Sequence, residues 1–227
     1  MPADRVVVTG GSSGLGAAVV KAVADAGGRP FVLDLHAPSA DVPHERLDIS
    51  NQRAAERAVG LAAEQMGGID AVVAAAGIDA CGRLEDVPFD SWESVIKVNL
   101  IGMAAVVRAA IPHLERVHGR IVTVASTLGL RALPDATAYC ASKFGVVGFT
   151  RALQAELSGR VGVTLLVPGG MKTAFFDGRS EQYRPGPEAQ LNDPAEVAAA
   201  VMFALTRPTG CEVRELLITP EGESSWP

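Results

Sequence analysis

The sequence predicts an α/β fold in which helices cover both faces of a parallel sheet of about seven strands. Short apolar runs alternate with longer stretches of helical periodicity along almost the whole chain, an order typical of strand–helix–strand units. The strand candidates are apolar at nearly every position, as expected for strands buried on both faces. The chain has 227 residues, which is the length of one sizeable α/β domain. We therefore expect residues 1–227 to form a single domain.

The individual elements follow from these two patterns. Seven runs rich in β-branched or small apolar residues are predicted as strands: Arg5–Thr9, Phe31–Asp34, a weaker Glu45–Ile49, Ala71–Ala75, Ile121–Ala125, Val161–Val167 and Val213–Thr219. Five stretches between them have apolar residues at helical spacing: Gly14–Ala26, Asn51–Met66, Ser91–Arg116, Ala138–Ser158 and Pro194–Leu205. Right-handed crossovers between such elements give a doubly wound sheet.

Two of the predicted helices have start signals. Asp90 precedes the third helix and Glu93 follows three residues later, which predicts a capping box. The last helix is preceded by Asp193 and opens with Pro194, with Glu196 in the position of a capping-box glutamate. We therefore expect Asp90 and Asp193 to be N-caps.

The longest segment without clear periodicity is residues 169–192, which is rich in Gly, Pro and charged residues. A loop of that length in a compact domain is usually functional, and we predict that it is a lid over a substrate site. Residues 220–227 form a short polar tail that contains Trp226. The tail is either a disordered terminus or an anchor against another subunit, and the exposed tryptophan favours the anchor.

The composition argues against several classes of protein. The net charge of −6 comes from interspersed acidic and basic residues, so no nucleic-acid surface is expected. Cys81, Cys140 and Cys211 are widely spaced, which indicates neither a disulfide framework nor a zinc site. The four histidines have no metal-ligand spacing, and no catalytic metal is expected. The first apolar run is too short for a signal peptide and no run approaches the roughly 20 residues of a membrane span. These features predict a cytoplasmic protein without a membrane partner.

A glycine-rich turn follows the first predicted strand and leads into the first helix. Its sequence is Thr9-Gly10-Gly11-Ser12-Ser13-Gly14-Leu15-Gly16. Glycine allows a sharp turn and a close approach of the backbone to a pyrophosphate, and the N–H groups at the start of the helix favour anions. The same turn could also serve only to connect a strand tightly to a helix. Its place in the first strand–helix unit favours a dinucleotide site.

Asp34 sharpens the expectation about the dinucleotide. It ends the second predicted strand, 18 residues after Gly16. A carboxylate at this position can accept hydrogen bonds from the ribose hydroxyls of NAD and repel a 2′-phosphate. Arg29, which could attract such a phosphate, is expected at the far end of the strand. The pattern therefore favours NAD over NADP, although Asp34 could also be a solvated acid at a strand end.

Tyr139 and Lys143 are four residues apart on a predicted helix, so their side chains share one face. A tyrosine with an ordinary pKa near 10 is a poor base at neutral pH. A neighbouring ammonium group stabilises the phenolate and is expected to lower that pKa. Ser126 ends a predicted strand 13 residues before the tyrosine and could hydrogen-bond a substrate oxygen. The alternative is an exposed helical pair without a catalytic role.

Together, these residues resemble the classical short-chain dehydrogenase/reductase family. The matching positions are the turn from Thr9 to Gly16, Asp48, Asn99, Ser126, Tyr139-x-x-x-Lys143 and Pro168-Gly169 leading to Thr173. The resemblance extends from about residue 4 to residue 219 in the order and spacing of the family. It implies a Rossmann-type fold and NAD-dependent hydride transfer between the nicotinamide and a secondary alcohol or ketone. It also implies assembly as a homotetramer or dimer.

The resemblance implies a role for each of four catalytic positions. Tyr139 would be the general acid in carbonyl reduction and the general base in alcohol oxidation. Lys143 would hydrogen-bond the nicotinamide ribose and lower the pKa of the tyrosine. Ser126 would orient and polarise the substrate carbonyl. Asn99 would hold a helix kink whose backbone carbonyl positions a proton-relay water.

Further positions are assigned to the cofactor and the substrate by the same resemblance. The cofactor positions outside the turn are Asp34, Asp48, Ile49, Ala75, Ala76, Gly77, Pro168, Gly169, Met171 and Thr173. The substrate candidates are Leu128, Leu133, Cys140, Met171, Phe175 and Phe176, which suggest an uncharged, partly apolar alcohol or carbonyl and could also be core residues. Arg179, Tyr183 and Arg184 on the predicted lid could contact a polar part of the substrate, but surface solvation is the favoured expectation. The family usually has Asn-Asn-Ala-Gly where this chain has Ala74-Ala75-Ala76-Gly77, so the asparagine side chains that brace the sheet are missing.

Two other functions stay open at this point. One is an NADPH-dependent ketoreductase acting on acyl thioesters or polyketides, against which Asp34 argues. The other is a dinucleotide-binding sensor without turnover, against which the set of Ser126, Tyr139 and Lys143 argues. By resemblance, the helices at Leu100–Arg116 and Ala138–Ser158 would form the subunit interfaces.

Overall fold

A computed structural model describes residues 4–223 of the chain. Its centre is a sheet of seven parallel strands in the spatial order β3-β2-β1-β4-β5-β6-β7. The strands are β1 (Arg5–Thr9), β2 (Arg29–Asp34), β3 (His44–Arg46), β4 (Ala71–Ala74), β5 (Arg120–Val124), β6 (Gly162–Pro168) and β7 (Glu215–Ile218). This confirms the predicted doubly wound parallel sheet.

Helices cover both faces of the sheet. They are α1 (Gly14–Asp25), α2 (Gln52–Met66), α3 (Phe89–Ile96), α4 (Met103–Glu115), α5 (Thr137–Glu156) and α6 (Pro194–Leu205). A π-helical segment, Lys97–Gly102, joins α3 to α4, and short 3₁₀ turns occur at Thr127–Gly129, Ala174–Phe176 and Glu181–Tyr183. One core forms between the sheet and α2, α4 and α5. A second forms between the sheet and α1 and α6.

The central strands are buried on both faces because successive side chains alternate between the two cores. On β1, Val7 packs in the core with α2, α4 and α5, whereas Val6 and Val8 pack with α1 and α6. All three valines are completely buried. Branched apolar side chains suit such a pleated, two-sided environment, which explains why these runs are apolar throughout.

The chain reverses its direction of progress across the sheet between β1 and β4. It builds β2 and β3 on one side of β1, then returns to place β4 on the other side. The connections that leave the carboxyl ends of β1 and β4 therefore run to opposite sides. In open parallel sheets this reversal opens a crevice for a ligand.

The third predicted helix differs most from the structure. The sequence predicted one helix from Ser91 to Arg116. In the structure α3 begins at Phe89 with Pro88 as its N-cap, and the π-helical segment Lys97–Gly102 separates α3 from α4. Asp90 therefore lies inside the first turn and is not the N-cap that the sequence predicted. The proline supplies the extended conformation that precedes the helix, which places the start one residue before the acid.

The predicted strand at Glu45–Ile49 is shorter than expected and covers His44–Arg46. Asp48 lies beyond it, where its carboxylate accepts a hydrogen bond from the N–H of Ser50 at 2.8 Å. This local bond favours a turn over an extended strand. The other predicted boundaries agree with the structure to within two residues.

The helical rod Phe89–Glu115 is apolar and, with 27 residues, long enough by length and composition to cross a membrane. The expectation that no apolar stretch approaches this length was therefore wrong. Helix α4 packs against α2 and the sheet, and α3 packs against α5. Val106, Val107 and Leu114 are completely buried in that contact. Packing inside the fold thus accounts for the apolar character of the rod.

The start of α6 agrees with its sequence signal, and it yields a stability prediction. The Asp193 carboxylate accepts a hydrogen bond from the N–H of Ala195 at 2.8 Å, so Asp193→Ala should lower the free energy of unfolding by about 1 kcal/mol. The corresponding decrease in melting temperature is about 2–4 °C. Asp90→Ala is the matched control, and it should cost less because Asp90 caps no helix. Thermal and urea unfolding measure both variants, and equal losses would contradict the assignment of Asp193 as the cap.

Candidate active site

A cleft of about 990 Å³ lies at the carboxyl ends of β1, β4, β5 and β6. Its walls include the glycine-rich turn after β1, the segment after β4, and residues 168–185. Eighteen of the positions assigned to catalysis or the cofactor line it: Gly10, Ser13, Gly14, Leu15, Gly16, Asp34, Asp48, Ile49, Ala75, Ala76, Gly77, Ser126, Tyr139, Lys143, Pro168, Gly169, Met171 and Thr173. The structure therefore brings together residues that span most of the chain.

The cleft also contains most of the substrate candidates. Those on its wall are Leu128, Leu133, Met171, Phe175 and Phe176. Cys140 is buried behind the wall, which makes it a packing residue. Ser12 and Asn99 also lie outside the lining, and each acts through a neighbour as described below. Among residues 4–223, His, Cys, Asp and Glu side chains form no group of three that could hold a metal ion.

Two glycines are required by the turn itself. Gly10 has a positive φ of 70°, and a Cβ atom there would lie 2.8 Å from the Cα atom of Ala76. A Cβ atom on Gly16 would lie 2.1 Å from the carbonyl oxygen of Gly10. Both separations are too short for any side chain. The turn therefore packs closely against the segment after β4 and leads directly into α1.

A third glycine keeps the cleft open at the start of α1. Gly14 has a φ of 52°, and a Cβ atom there would lie 3.4 Å from the methyl group of Thr173 across the cleft. The N-cap Ser13 makes no side-chain hydrogen bond to the first turn of the helix. The helix N-terminus thus has no side-chain cap and faces a gap that a larger residue would narrow. This arrangement fits the pyrophosphate of a dinucleotide.

Asp34 lies beside this turn and is held there by two backbone groups. The N–H of Ser12 donates to one carboxylate oxygen, and the N–H of His36 donates to the other, each at 3.0 Å. Both bonds fix the orientation of the carboxylate at the rim of the cleft. Ser12, assigned to the cofactor from the sequence, therefore positions Asp34.

Two arginines bear on the charge near Asp34. Arg29 begins β2 and pairs with Asp4 at 2.6 Å, at the opposite end of the strand from Asp34, as expected. Arg46 was missed from the sequence, because it is 12 residues further along the chain. Strand β3 places it in register with Asp34, and its Nε atom donates to the carbonyl of Leu35 at 3.1 Å. Arg46 is exposed and lies outside the cleft lining.

The side chain of Asn99 connects the π-helical segment to two neighbouring parts of the site. Its Oδ1 atom accepts from the N–H of Ile78 at 2.8 Å, and its Nδ2 atom donates to the carbonyl of Ile78 at 2.9 Å. The same Nδ2 atom donates to the hydroxyl of Ser142 at 3.0 Å. The side chain is almost completely buried. Asn99 therefore fixes the segment after β4 against α5.

These contacts also brace the Ala-Ala-Ala-Gly segment, for which the sequence predicted weaker support. The N–H of Ala76 donates to the hydroxyl of Thr9 at 3.1 Å. Gly77 lies between the side chains of Asn99 and Lys143, where a Cβ atom would be 3.4 Å from Oδ1 and 3.7 Å from Nζ. Thr9 on β1 and the side chain of Asn99 therefore support this segment, a role expected of asparagines within the segment itself.

Ser126, Tyr139 and Lys143 meet at one wall of the cleft. Tyr139 lies in the first turn of α5, and Lys143 lies one turn later with its Nζ atom 5.5 Å from the tyrosine ring centroid. That ammonium donates to the carbonyl of Val124 at 2.8 Å. Ser126 follows β5 and forms a side-chain hydrogen bond with Tyr139. Tyr139 and Lys143 lie on the same face of α5, as their spacing predicted.

Burial shifts the pKa of both ionisable groups toward their neutral forms. It raises the pKa of Tyr139 to about 12, against a hydrogen bond from Ser126 that lowers it. It lowers the pKa of the Lys143 ammonium to about 8, and the negative charge of Asp79 opposes this shift. The expectation that the pKa of the tyrosine is lowered toward neutral pH was therefore wrong. The cost of burying the phenolate outweighs the Ser126 hydrogen bond and the positive charge of Arg179, which both lower this pKa.

The segment predicted as a lid closes one side of the cleft. A bridge between Met171 and Asn192 joins its two ends. Residues 174–176, Arg179 and residues 182–185 line the cleft. The Arg179 side chain is only 18% exposed and pairs with Asp79 at 2.5 Å. The expectation of a solvated arginine was wrong because this buried carboxylate, 100 residues away, binds it. Tyr183 is also partly buried, whereas Arg184 is exposed.

The end of the chain contributes one residue that the sequence did not indicate. The Glu223 carboxylate lines the cleft and accepts a hydrogen bond from the N–H of Gly170 at 3.2 Å. No periodic pattern follows β7, so nothing in the sequence marks this contact. Trp226, interpreted above as an anchor, lies outside the described residues.

Comparison with known proteins assigns the chain to a family. A model of the short chain dehydrogenase family matches residues 4–184. The chain belongs to this family. It is therefore an enzyme of an oxidoreductase family whose fold binds a nicotinamide dinucleotide and whose members act on small molecules. This confirms the resemblance that the motifs indicated.

Individual relatives cover nearly the whole chain. An uncharacterized oxidoreductase of Staphylococcus aureus is 30% identical over 96% of this chain and 97% of its own length. L-fucose dehydrogenase of Mus musculus is 30% identical over 97% of this chain and 89% of its own length.

Two solved structures are similar in fold. An alcohol dehydrogenase from Thermococcus sibiricus, in complex with 5-hydroxy-NADP, has a TM-score of 0.82 and 27% identity, covering 93% of this chain and 94% of its own. Ligand-free aldohexose dehydrogenase of Thermoplasma acidophilum has a TM-score of 0.85 and 26% identity, covering 96% of this chain and 93% of its own.

Proposed function

We propose that this enzyme transfers hydride between NAD(H) and a secondary alcohol or ketone, with Tyr139 as the general acid and base. The observation that supports this most strongly is the position of Ser126, Tyr139 and Lys143 on one wall of the cleft. The N-terminus of α1 and Asp34 lie along the same cleft. The cofactor would supply or accept the hydride, and the protein would place the reacting carbon and move the proton.

Tyr139 would transfer that proton at its hydroxyl oxygen. With a pKa raised to about 12, it is protonated at neutral pH and can donate to a carbonyl oxygen during reduction. In the oxidation of an alcohol the same hydroxyl must first lose its proton. The Ser126 hydroxyl, hydrogen-bonded to Tyr139, would orient the substrate oxygen between the two side chains.

Lys143 would bind the ribose next to the nicotinamide. An ammonium group has three donors, and the carbonyl of Val124 accepts one of them. Two donors are therefore available for ribose hydroxyls. Asn99 would act as a positioning residue, since it holds Gly77 and α5 around this ammonium.

Asp34 supports NAD as the cofactor. Its carboxylate is held at the rim of the cleft by two N–H groups, where it can accept bonds from ribose hydroxyls and repel a 2′-phosphate. Arg46 supports a second candidate, an NADPH-dependent ketoreductase, because strand pairing places it in register with Asp34. The similar archaeal alcohol dehydrogenase was solved with an NADP analogue. We favour NAD because Asp34 lines the cleft whereas Arg46 does not.

The substrate would be an uncharged alcohol or ketone. The apolar side chains of Leu128, Leu133, Met171 and Phe175 line the cleft, and the ring of Phe175 lies 5.7 Å from that of Tyr139. Two similar proteins are named as dehydrogenases of L-fucose and of aldohexoses, which are uncharged hydroxyl compounds. Both observations support a substrate without a formal charge.

We further propose that the enzyme is a homodimer or homotetramer that assembles through α4 and α5. Phe144 on α5 is 45% exposed in the single chain. A Cβ atom on Gly148 of the same helix would meet no other atom within 4 Å. This face can therefore accept a closely packed helix of another subunit.

Replacement of the proposed acid and base gives the first test of function. Tyr139→Phe should reduce turnover by about 10²–10⁴-fold, the usual contribution of general acid–base catalysis. The affinity for NADH should stay within about threefold, because the ring and its packing are kept. Tyr183→Phe is the matched control, since the chain has only two tyrosines, and it should lose less than about tenfold. Turnover by the Tyr139 variant at the normal rate would contradict the mechanism.

Cofactor preference is the second test. A screen of alcohols and ketones with both cofactors, together with binding titrations, should show that NADH binds at least about tenfold more tightly than NADPH, equivalent to about 1.4 kcal/mol. Asp34→Asn removes the repulsion and should narrow this difference. Tighter binding of NADPH by the unaltered enzyme would instead favour the ketoreductase and a role for Arg46.

The shifted pKa values predict how the rate depends on pH. Alcohol oxidation requires deprotonated Tyr139, whose pKa is raised to about 12, so kcat/KM for oxidation should rise from pH 6 to about 8. The ammonium of Lys143 has a pKa lowered to about 8 and loses its charge above that value, so the rise should then become shallower. Reduction uses protonated Tyr139, and its kcat/KM should not rise. Initial rates in both directions measure this, and oxidation that is constant or slower at higher pH would contradict it.

A further inference from the structure

Residues 175–184, which we name the lid segment, lie against the proposed catalytic tyrosine. The ring centroid of Phe175 is 5.7 Å from that of Tyr139, and Phe176 meets Phe175 edge-on at 5.6 Å. The guanidinium of Arg179 lies 5.2 Å and 4.6 Å from the centroids of the two phenylalanine rings. One cation thus contacts both rings that close this side of the cleft.

An ion pair with Asp79 holds that cation. The distance from Nη2 of Arg179 to Oδ2 of Asp79 is 2.5 Å, and the side chains are only 18% and 6% exposed. Another guanidinium nitrogen donates to the carbonyl of Tyr183 at 3.2 Å. The Nε atom is buried and meets no hydrogen-bond partner among residues 4–223. Because the pair is largely removed from water, loss of either partner leaves a costly uncompensated charge.

Asp79 is a rigid attachment point for the lid segment. Its carboxylate accepts from the N–H of Ala80 at 2.7 Å and from the thiol of Cys81 at 3.1 Å. The preceding residue, Ile78, is held at both its N–H and its carbonyl by Asn99. The ion pair therefore ties the lid segment to the part of the cleft that Asn99 fixes.

The same two charges act on the proposed catalytic residues. The carboxylate of Asp79 raises the pKa of both Tyr139 and Lys143, whereas Arg179 lowers the pKa of Tyr139. The other groups that face the tyrosine are Ser126 after β5 and Lys143 and Cys140 on α5. Cys81, in the loop after β4, faces the ion pair, and Asp135 in the loop before α5 acts on Cys81. Two of these groups are cations: Arg179 pairs directly with Asp79, whereas Lys143 interacts with that carboxylate without an ion pair.

We propose that Arg179 is a positioning residue that acts through Asp79 in two ways. It latches the lid segment over the cleft, and it compensates the Asp79 carboxylate so that Tyr139 can release its proton during alcohol oxidation. The second part rests on the proposed function, whereas the first does not. When the latch opens, Asp79 is left unpaired beside the tyrosine, which then keeps its proton. Proton release is thereby confined to the closed cleft.

A double-mutant cycle separates the two parts. The variants are Arg179→Gln, Asp79→Asn and the combination of both. Arg151→Gln is the matched control, because it removes an exposed ion pair with Glu215 outside the lid segment. Hydrogen exchange of the backbone amides in residues 175–184, without substrate, measures the latch. The pH dependence of kcat/KM for alcohol oxidation measures the electrostatic effect.

In all three variants the backbone amides of the lid segment should exchange at least about tenfold faster, because the buried ion pair is lost. The KM of each variant should be higher for the same reason. Arg179→Gln should move the profile of kcat/KM for oxidation to higher pH by about one pH unit, because the Asp79 carboxylate is then uncompensated. Asp79→Asn should move it down, and the double variant should return close to the original enzyme. The control should change neither measurement. A purely structural role predicts the same pH dependence in all three variants.

Two results would overturn the proposal. If the lid amides of Arg179→Gln exchanged at the same rate as those of the original enzyme, the latch would be excluded. Equal pH profiles in Arg179→Gln and Asp79→Asn would exclude the electrostatic part. If the glutamine variant does not fold, Arg179→Lys replaces it, because lysine keeps the positive charge. This variant should keep the original pH profile, and its lid amides should exchange faster than in the original enzyme but slower than after loss of the charge. If the unaltered enzyme turned over no alcohol or ketone, the proposed function and the second part would fail, while the exchange rates would still decide the latch.

Discussion

The hydrogen bonds of the Asn99 side chain are the interaction on which the rest of the site depends. They join the π-helical segment to the N–H and carbonyl of Ile78 and to Ser142 on α5. Gly77 and Asp79 flank Ile78, and Lys143 follows Ser142, so one buried amide fixes the backbone of several groups in the cleft. Without it, two backbone groups of Ile78 would lose their hydrogen bonds to the side chain, at a cost of about 0.5–1.5 kcal/mol for each bond. The position of the cleft wall that contains Tyr139 and Lys143 therefore depends on the contacts of Asn99.

The parts of the structure that depend on local rules could be predicted from the sequence. The buried strands are apolar throughout because two cores cover them, and this pattern is visible in the sequence itself. The cap at Asp193 and the spacing of Tyr139 and Lys143 follow from helix geometry alone. The glycine-rich turn is equally local, since the close approach of Gly10 and Gly16 excludes any side chain. The cap, the tyrosine–lysine spacing and the contact between Gly16 and Gly10 each involve residues that are close together in the sequence.

The remaining features depend on contacts between distant residues. The π-helical segment packs where a Cβ atom on Gly102 would lie 2.6 Å from the carbonyl of Ile49, a contact between separate elements. Arg46 reaches the neighbourhood of Asp34 only through strand pairing, and Arg179 meets its carboxylate only when the lid segment folds over the cleft. The direction of the pKa shift of Tyr139 could not be predicted from the sequence either, because it depends on how deeply the ring is buried.

The proposed function requires this cleft to place a nicotinamide hydride donor against a carbonyl carbon, with the proton supplied separately by Tyr139. The most direct measurement uses NADH that carries deuterium on one face of C4, with mass spectrometry of the alcohol formed from a ketone. We expect deuterium to reach the carbinol carbon from only one of the two faces of C4. We also expect a reaction in deuterated water to place no deuterium on that carbon. Solvent deuterium on the carbinol carbon, or bound NADH that reduces none of the ketones tested, would contradict it.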